Sequence, residues 1–302
     1  MPIPLGELAA LGTAGCWTVS SIAFSAAGKR IGSLSLNLVR LVIAFVLVTL
    51  YCCVRRGMLL PFDAPPRTWG WLLASGFVGY VFGDLCLFRA FVLVGPRLSM
   101  LVMALVPPMA AVLGFFLLNE RISPLGIAGM IVTISGVAWV VRERPDTAST
   151  SDTASAGRNL QNGILLAFGG AVGQALGMVL GKIGMGTYDP VASGQIRIMA
   201  GMAGFAALFT AVGWWKKTFE GIRDKHAIGY ATIGAFAGPF VGVSLSLVSV
   251  QLTETGIAAT IMSTTPVLII PVVILTGQER VSARAAIGAI VAVAGVAMLW
   301  VR

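Results

Sequence analysis

The chain has 302 residues, of which 57% belong to the hydrophobic set and only 11% are charged, against roughly 25% charged in an average soluble domain. Such a composition excludes a water-soluble globule and predicts an all-α integral membrane protein, since continuous apolar runs lack the alternation of a barrel strand. The formal charge of +9 is scattered among short loops without forming a stripe; cations beside membrane spans account for it, and nucleic acid is not an expected partner.

Ten stretches long enough to cross a hydrocarbon core of about 20 residues fall at about 5–27, 34–54, 69–93, 97–118, 123–141, 160–182, 190–213, 228–250, 255–276 and 283–300. The first carries Glu7 near its start, then Trp17, Ser20 and Ser21. It lacks a basic leader or an Ala-x-Ala site, so it reads as a retained helix in a multi-pass protein of a bacterial inner membrane. Asn37 and Arg40 lie early in the second span. A polar loop broken by Pro61, Pro65 and Pro66 leads to the third, which holds Tyr80, Asp84 and Arg89. Met103, Pro107 and Pro108 follow in the fourth. After the fifth span, residues 142–159 are rich in Ser, Thr, Ala and Asp and read as a linker between unit 1–141 and unit 160–302. The sixth span bears Gly169, Gly173, Gly177 and Gly181, a small-residue face for close helix contact, together with Gln174 and Met178. Gln195 and Arg197 are in the seventh. The loop at 214–226 contains four cations and the single histidine, His226. Pro239 and Ser244 belong to the eighth span; Ser263, Thr264, Pro266 and Pro271 belong to the ninth. Prolines inside spans free backbone carbonyls and bend helices, a device suited to gating. Cys16, Cys52, Cys53 and Cys86 all fall in spans without metal-ligand spacing and read as apolar filler; no metal or cofactor is expected.

The two units repeat each other. Pro107, Glu120, Arg121, Ser123, Gly129 and Gly136 recur as Pro266, Glu279, Arg280, Ser282, Gly288 and Gly295, each pair 159 apart, and Gly79, Gly83 and Met103 recur as Gly238, Gly242 and Met262. With five spans per unit, the second copy enters the membrane from the opposite side. Two inverted five-helix repeats around a central cavity are the build of a secondary transporter. The odd-numbered loops carry twelve Lys and Arg against six in the even-numbered loops and termini, a bias toward both termini outside that inversion dilutes by setting homologous charges on opposite faces; the expectation is that both termini share a side.

The segment from Pro107 to Val140, its copy from Pro266 to Leu299, Trp17 of the first span and Arg40 of the second resemble the drug/metabolite transporter superfamily in its ten-helix, EamA-type branch. The resemblance spans essentially the whole chain. It implies a basket of helices in which eight spans surround the cavity and the fifth of each half closes the scaffold. It further implies alternating access and export of small metabolites, often amino acids. Cation-exporting four-helix multidrug relatives depend on an acid well inside the first span, whereas Glu7 is near its beginning.

Intramembrane charges narrow the site, because each costs about 2.5 to 3.5 kcal/mol at a helix centre on insertion scales. Asp84 either pairs with Arg40 to order two helices or binds and releases a proton during transport. Arg40 and Arg197 occupy corresponding places in the two halves, but Asp84 has no copy, as position 243 is Val. Arg197 therefore either reaches to the nearby loop or presents its guanidinium to a substrate carboxylate. The cavity candidates are Trp17, Asn37, Arg40, Tyr80, Asp84, Met103, Gln174, Met178, Gln195, Arg197, Ser244 and Ser263. Three arginines against one aspartate favour zwitterionic or anionic solutes over cationic drugs. The rivals are a multidrug exporter, a lipid-carrier flippase, a passive channel and an intramembrane enzyme; no His-Glu-x-x-His or Gly-x-Ser-x-Gly pattern supports the last. The expected partners are a small-molecule substrate and the bilayer, and fused halves can complete a pore as a monomer.

Overall fold

A computed structural model describes residues 5–118, 123–141, 153–252, 258, 261–275 and 282–298. The Glu120-Arg121 and Glu279-Arg280 pairs and the linker up to residue 152 lie outside the described residues. Every regular element among those described is helical. The first unit comprises α1 (Leu5–Ile31), α2 (Ser33–Arg56), α3 (Pro66–Gly76), a π-helical segment π1 (Phe77–Gly83), α4 (Asp84–Met103), α5 (Val106–Leu118) and α6 (Pro124–Val141). The second comprises α7 (Thr153–Met185), α8 (Pro190–Val212), the short α9 (Trp215–Gly221), α10 (Lys225–Ala235), π2 (Phe236–Gly242), α11 (Val243–Leu252), α12 (Thr265–Leu275) and α13 (Ala283–Met298). Among the described residues six helices are long and apolar enough to cross a bilayer, one of them the run Pro66–Met103 with its kink at Gly95; Val106–Leu118, Pro124–Trp139 and Ala283–Met298 are shorter apolar helices.

Three expectations need correction. The fourth span, expected unbroken over 97–118, is cut in two. Ahead of it, between the third and fourth spans, Gly95 takes φ 79°, a conformation that glycine adopts without a Cβ penalty, and Pro96 restarts the helix; the cut itself is the turn at Ala104 and Leu105 before α5. Pro107 and Pro108 cause that turn, since neither can donate to the carbonyls of Met103 and Ala104. Residues 153–159, expected to be linker, are the opening turns of α7; Ala154 and Ala156 let the helix propagate outward from its apolar part. The loop at 214–226 contains α9, where Trp215 stacks on Phe219 and Lys217 sits 4.0 Å from the Trp214 ring.

Both irregularities recur in the second unit. π2 begins 159 residues after π1 and has the same seven-residue length. The turn at Ala104 and Leu105 recurs at Ser263 and Thr264, with the Thr264 amide donating to the Ile261 carbonyl as that of Leu105 donates to Val102. Over the first two helices of each unit the offset is 157: Ser33 opens α2 and Pro190 opens α8.

Glycines set how closely the units join. A Cβ on Gly173 would lie 2.5 Å from the Gly83 Cα, and one on Gly177 3.1 Å from the Gly79 Cα, so the ladder of α7 packs directly on π1. Ser75 donates to the Gly177 carbonyl at 2.6 Å across the same contact. In the mirrored contact, Gly242 faces Cys16 and Trp17, and Gly238 faces Ser20 of α1. Contact without side chains gives helices in lipid the van der Waals attraction that replaces a hydrophobic drive. Helices α6 and α13 meet at the pseudo-two-fold axis itself. Thr133 donates to the carbonyl of its own counterpart, Ala292, at 3.2 Å, while Gly136 faces Ala292 and Gly295 faces Thr133.

Polar ties join the units at both ends of the bundle. Where α1 ends, Arg30 Nε bonds Asp224 Oδ2 at 2.7 Å, and the same Asp224 caps α10 through the His226 and Ala227 amides. Where α2 ends, Arg56 bonds Asp63 at 2.6 Å and the Tyr188 hydroxyl at 3.2 Å, and that hydroxyl donates to Asp63 at 2.7 Å. Desolvation pushes the Asp63 carboxyl up, but the Tyr188 hydroxyl and the Arg56 guanidinium outweigh it and hold the group below its ordinary value. Burial and the bond to Asp63 push the Tyr188 phenol up to about 12.

Candidate functional site

A cavity of about 150 Å³ lies between the two units, and its lining comes in equivalent pairs. Trp17 is matched by Gln174, Arg40 by Arg197, Tyr80 by Pro239, Asp84 by Val243, Met103 by Met262 and Pro107 by Pro266, all of them on the wall. Tyr80, Asp84, Met103, Pro107 and their counterparts lie in or beside the local irregularities. A π segment fits an extra residue into the turn, which rotates the residues beyond it relative to a straight α-helix, and such segments frequently mark functional sites. Broken helices at membrane depth likewise occur where backbone faces a cavity. Ala104 and Ser263, the turn residues of the two breaks, both line the wall.

The polar groups are distributed unequally between the units. Arg40 and Asp84, 2% and 3% exposed, form an ion pair through Nη2 and Oδ2. Arg40 Nε also donates to Asn37 Oδ1 at 3.2 Å, and the guanidinium lies 4.4 Å from the Phe88 ring centroid. The second Asp84 oxygen accepts from Gln174 Nε2 at 2.8 Å, and Asn37 Nδ2 donates to the Asp84 carbonyl at 3.3 Å. Both carboxylate oxygens are thus engaged, and the first unit presents a neutralised, fully bonded cluster. Arg197 differs. It is 7% exposed, its Nε has no hydrogen-bond partner, and among the described residues no acid lies within ion-pair reach. Its guanidinium sits 5.3 Å from the Tyr80 ring centroid, and the Tyr80 hydroxyl is likewise buried without a partner. Beside Arg40 the wall is aromatic and aliphatic, with Phe24, Phe88, Phe91 and Met100.

Of the residues expected from sequence, Trp17, Arg40, Tyr80, Asp84, Met103, Gln174, Met178, Arg197 and Ser263 line the cavity, as do Ser20 and Ser21. Three candidates do not. Asn37 stands behind Arg40 and bonds to it. Gln195 turns away, donating to Thr49 Oγ1 at 2.8 Å and to the Leu59 carbonyl at 2.7 Å. Ser244 is one step past Val243, about 100° further round the helix and off the wall. Ser246, Thr265 and the phenylalanines were not singled out from sequence; the offset that relates Leu87 to Ser246 was the available signal for the first. Among the described residues no group of His, Cys, Asp and Glu could hold a metal ion. Chemically, the arrangement can bind an acceptor at Arg197 and Tyr80 and house an apolar body against the rings.

A model of the EamA-like transporter family matches residues 4–142 and again 161–301. A search of curated proteins found no match. One solved crystal structure is similar over 97% of this chain and 95% of its own, with a TM-score of 0.65 and 19% identity, a likeness that concerns the fold alone.

Proposed function

The chain belongs to the EamA-like transporter family and is a multi-pass membrane transporter of small solutes, and from that premise we propose secondary active export of zwitterionic or anionic metabolites, amino acids among them, across a bacterial inner membrane. Ten spans serve this reading, the fourth assembled from the pieces on either side of the turn at Ala104 and Leu105. The two units rock about the α6–α13 contact, and the cavity on their axis opens to one side and then the other. The observation that carries the substrate class is Arg197, a buried cation on the cavity wall with no acid beside it among the described residues. A cationic drug would need a free carboxylate there, and both oxygens of Asp84 are engaged. Within this reading Asp84 is the proton-coupling residue: its protonation would release Arg40 and Gln174 as the cavity changes sides.

Counterflow in proteoliposomes loaded in turn with neutral amino acids, dicarboxylates and a cationic dye tests the proposal. The expected result is exchange of a carboxylate-bearing solute that disappears in Arg197→Ala. Exchange of the dye alone would overturn it in favour of multidrug export.

A further inference from the structure

Arg40 and Arg197 are counterparts, 157 residues apart, yet their surroundings are opposite. Around Arg40 stand Asn37, Asp84 and the ring of Phe24, the last 5.7 Å from its guanidinium. The equivalent positions in the second unit hold Gly194, Val243 and Gly181. The acceptor and the charge beside the first guanidinium have no counterpart beside the second, and its aromatic neighbour is the Tyr80 ring at 5.3 Å. A Cβ on Gly181 would meet Ser75 Oγ at 3.1 Å and Arg197 Cζ at 3.9 Å, so α7 lies close against Arg197 and no ring stands where Phe24 stands beside Arg40. Arg197 and Tyr80 both line the cavity, and each holds a buried donor without an acceptor, the Nε of one and the hydroxyl of the other; buried donors of this kind find partners in the working protein.

We propose that Arg197 carries an anion subsite in the room that Asp84 and Asn37 fill beside Arg40, so that the substrate's carboxylate completes in the second unit the ion pair that Asp84 makes in the first. The inference rests on the substrate class proposed above and locates it at one guanidinium. A carboxylate suits the site because its two oxygens match the planar fork of an arginine. Each Asp84 oxygen already accepts a bond, from Arg40 or from Gln174, and Asp84 is the one acid among the described residues of the wall. The carboxylate is therefore required and the ammonium optional.

Three probes share one branched apolar body and differ only in charge: L-leucine, 4-methylpentanoate and 3-methylbutylamine. Ligand-induced thermal stabilisation of the purified, full-length protein in detergent is the readout, which avoids passive leak through vesicles. Wild type is expected to be stabilised by both carboxylates and not by the amine. Val243→Asp restores the missing partner of Arg197; it should melt no lower than wild type without ligand and bind both carboxylates at least tenfold more weakly, while Val243→Asn keeps binding. Gly194→Asn is the second variant, should Val243→Asp fail to fold. A Cβ at Gly194 meets only Leu247 at 3.7 Å, and the new amide would accept from Arg197 Nε as Asn37 does from Arg40, weakening carboxylate binding at least threefold. A wild type stabilised by the amine alone overturns both the subsite and the substrate class. Carboxylate binding that persists undiminished in the foldable variants overturns the subsite and leaves the substrate class standing.

Discussion

Replacing Asp84 by Val copies onto the first unit the residue that the second unit has at the same place. Arg40 then stays 2% exposed with its counter-charge gone, and breaking a buried ion pair by removing one partner costs about 3 to 5 kcal/mol. Two contacts survive to reduce that figure. Asn37 still accepts from Nε, and the Phe88 ring remains 4.4 Å from the guanidinium; together they retain about 1 to 2 kcal/mol. The loss expected for Asp84→Val is therefore about 2 to 3 kcal/mol, a fall of about 5 °C in melting temperature for a chain of this length. The double variant Arg40→Met/Asp84→Val removes both charges and should recover most of the loss, because a buried pair is often matched by apolar residues of similar volume. Thermal unfolding followed by circular dichroism in detergent measures all three proteins. If the single variant melts with wild type, or the double variant melts lower than the single, the pair does not order these helices and its place in the fold has been misjudged.

Gly136→Leu should destabilise the protein by about 3 kcal/mol or abolish its folding, since even a Cβ there would lie 2.7 Å from the Ala292 amide nitrogen; detergent-solubilised yield and melting temperature report it. Thr133→Val removes the bond to the Ala292 carbonyl and should cost about 1 kcal/mol in the same assay. The Arg56–Asp63–Tyr188 cluster makes stability depend on pH at both extremes. The depressed Asp63 carboxyl contributes stability that is present above its unfolded value near 4 and is lost as pH falls through its lower folded value. The raised Tyr188 phenol contributes below pH of about 10 and that contribution is lost as pH rises toward its folded value of about 12. Tyr188→Phe should abolish the alkaline limb and shallow the acid one in melting temperature recorded against pH. Asp84→Asn should abolish the pH dependence of counterflow; a variant with unaltered pH dependence would remove Asp84 from coupling.

The duplicated architecture was legible in the sequence because helices that play the same part in two inverted copies need the same glycines and prolines at the same intervals. Gly136 and Gly295 show this: each faces the other unit's counterpart backbone, and no other residue fits. The lone character of Arg197 was legible too, since Val at position 243 breaks the repeat at the one place where its acid would stand. What the tertiary structure decided is rotational phase and continuity. Apolar composition is the same all round a buried membrane helix, so nothing in the residues marked π1 and π2 as π turns; Pro107 and Pro108 signalled a bend, but not that α4 stops at Met103. Gln195 was placed in the cavity on polarity alone, but a side chain two residues from Arg197 on a helix points about 200° away, here onto Thr49 and Leu59. Hydrophobicity sets which segments enter the membrane, and repeated small residues set where they touch. Which side chains face the axis follows only from packing the two units together, because that contact fixes the angle of every helix about its own axis.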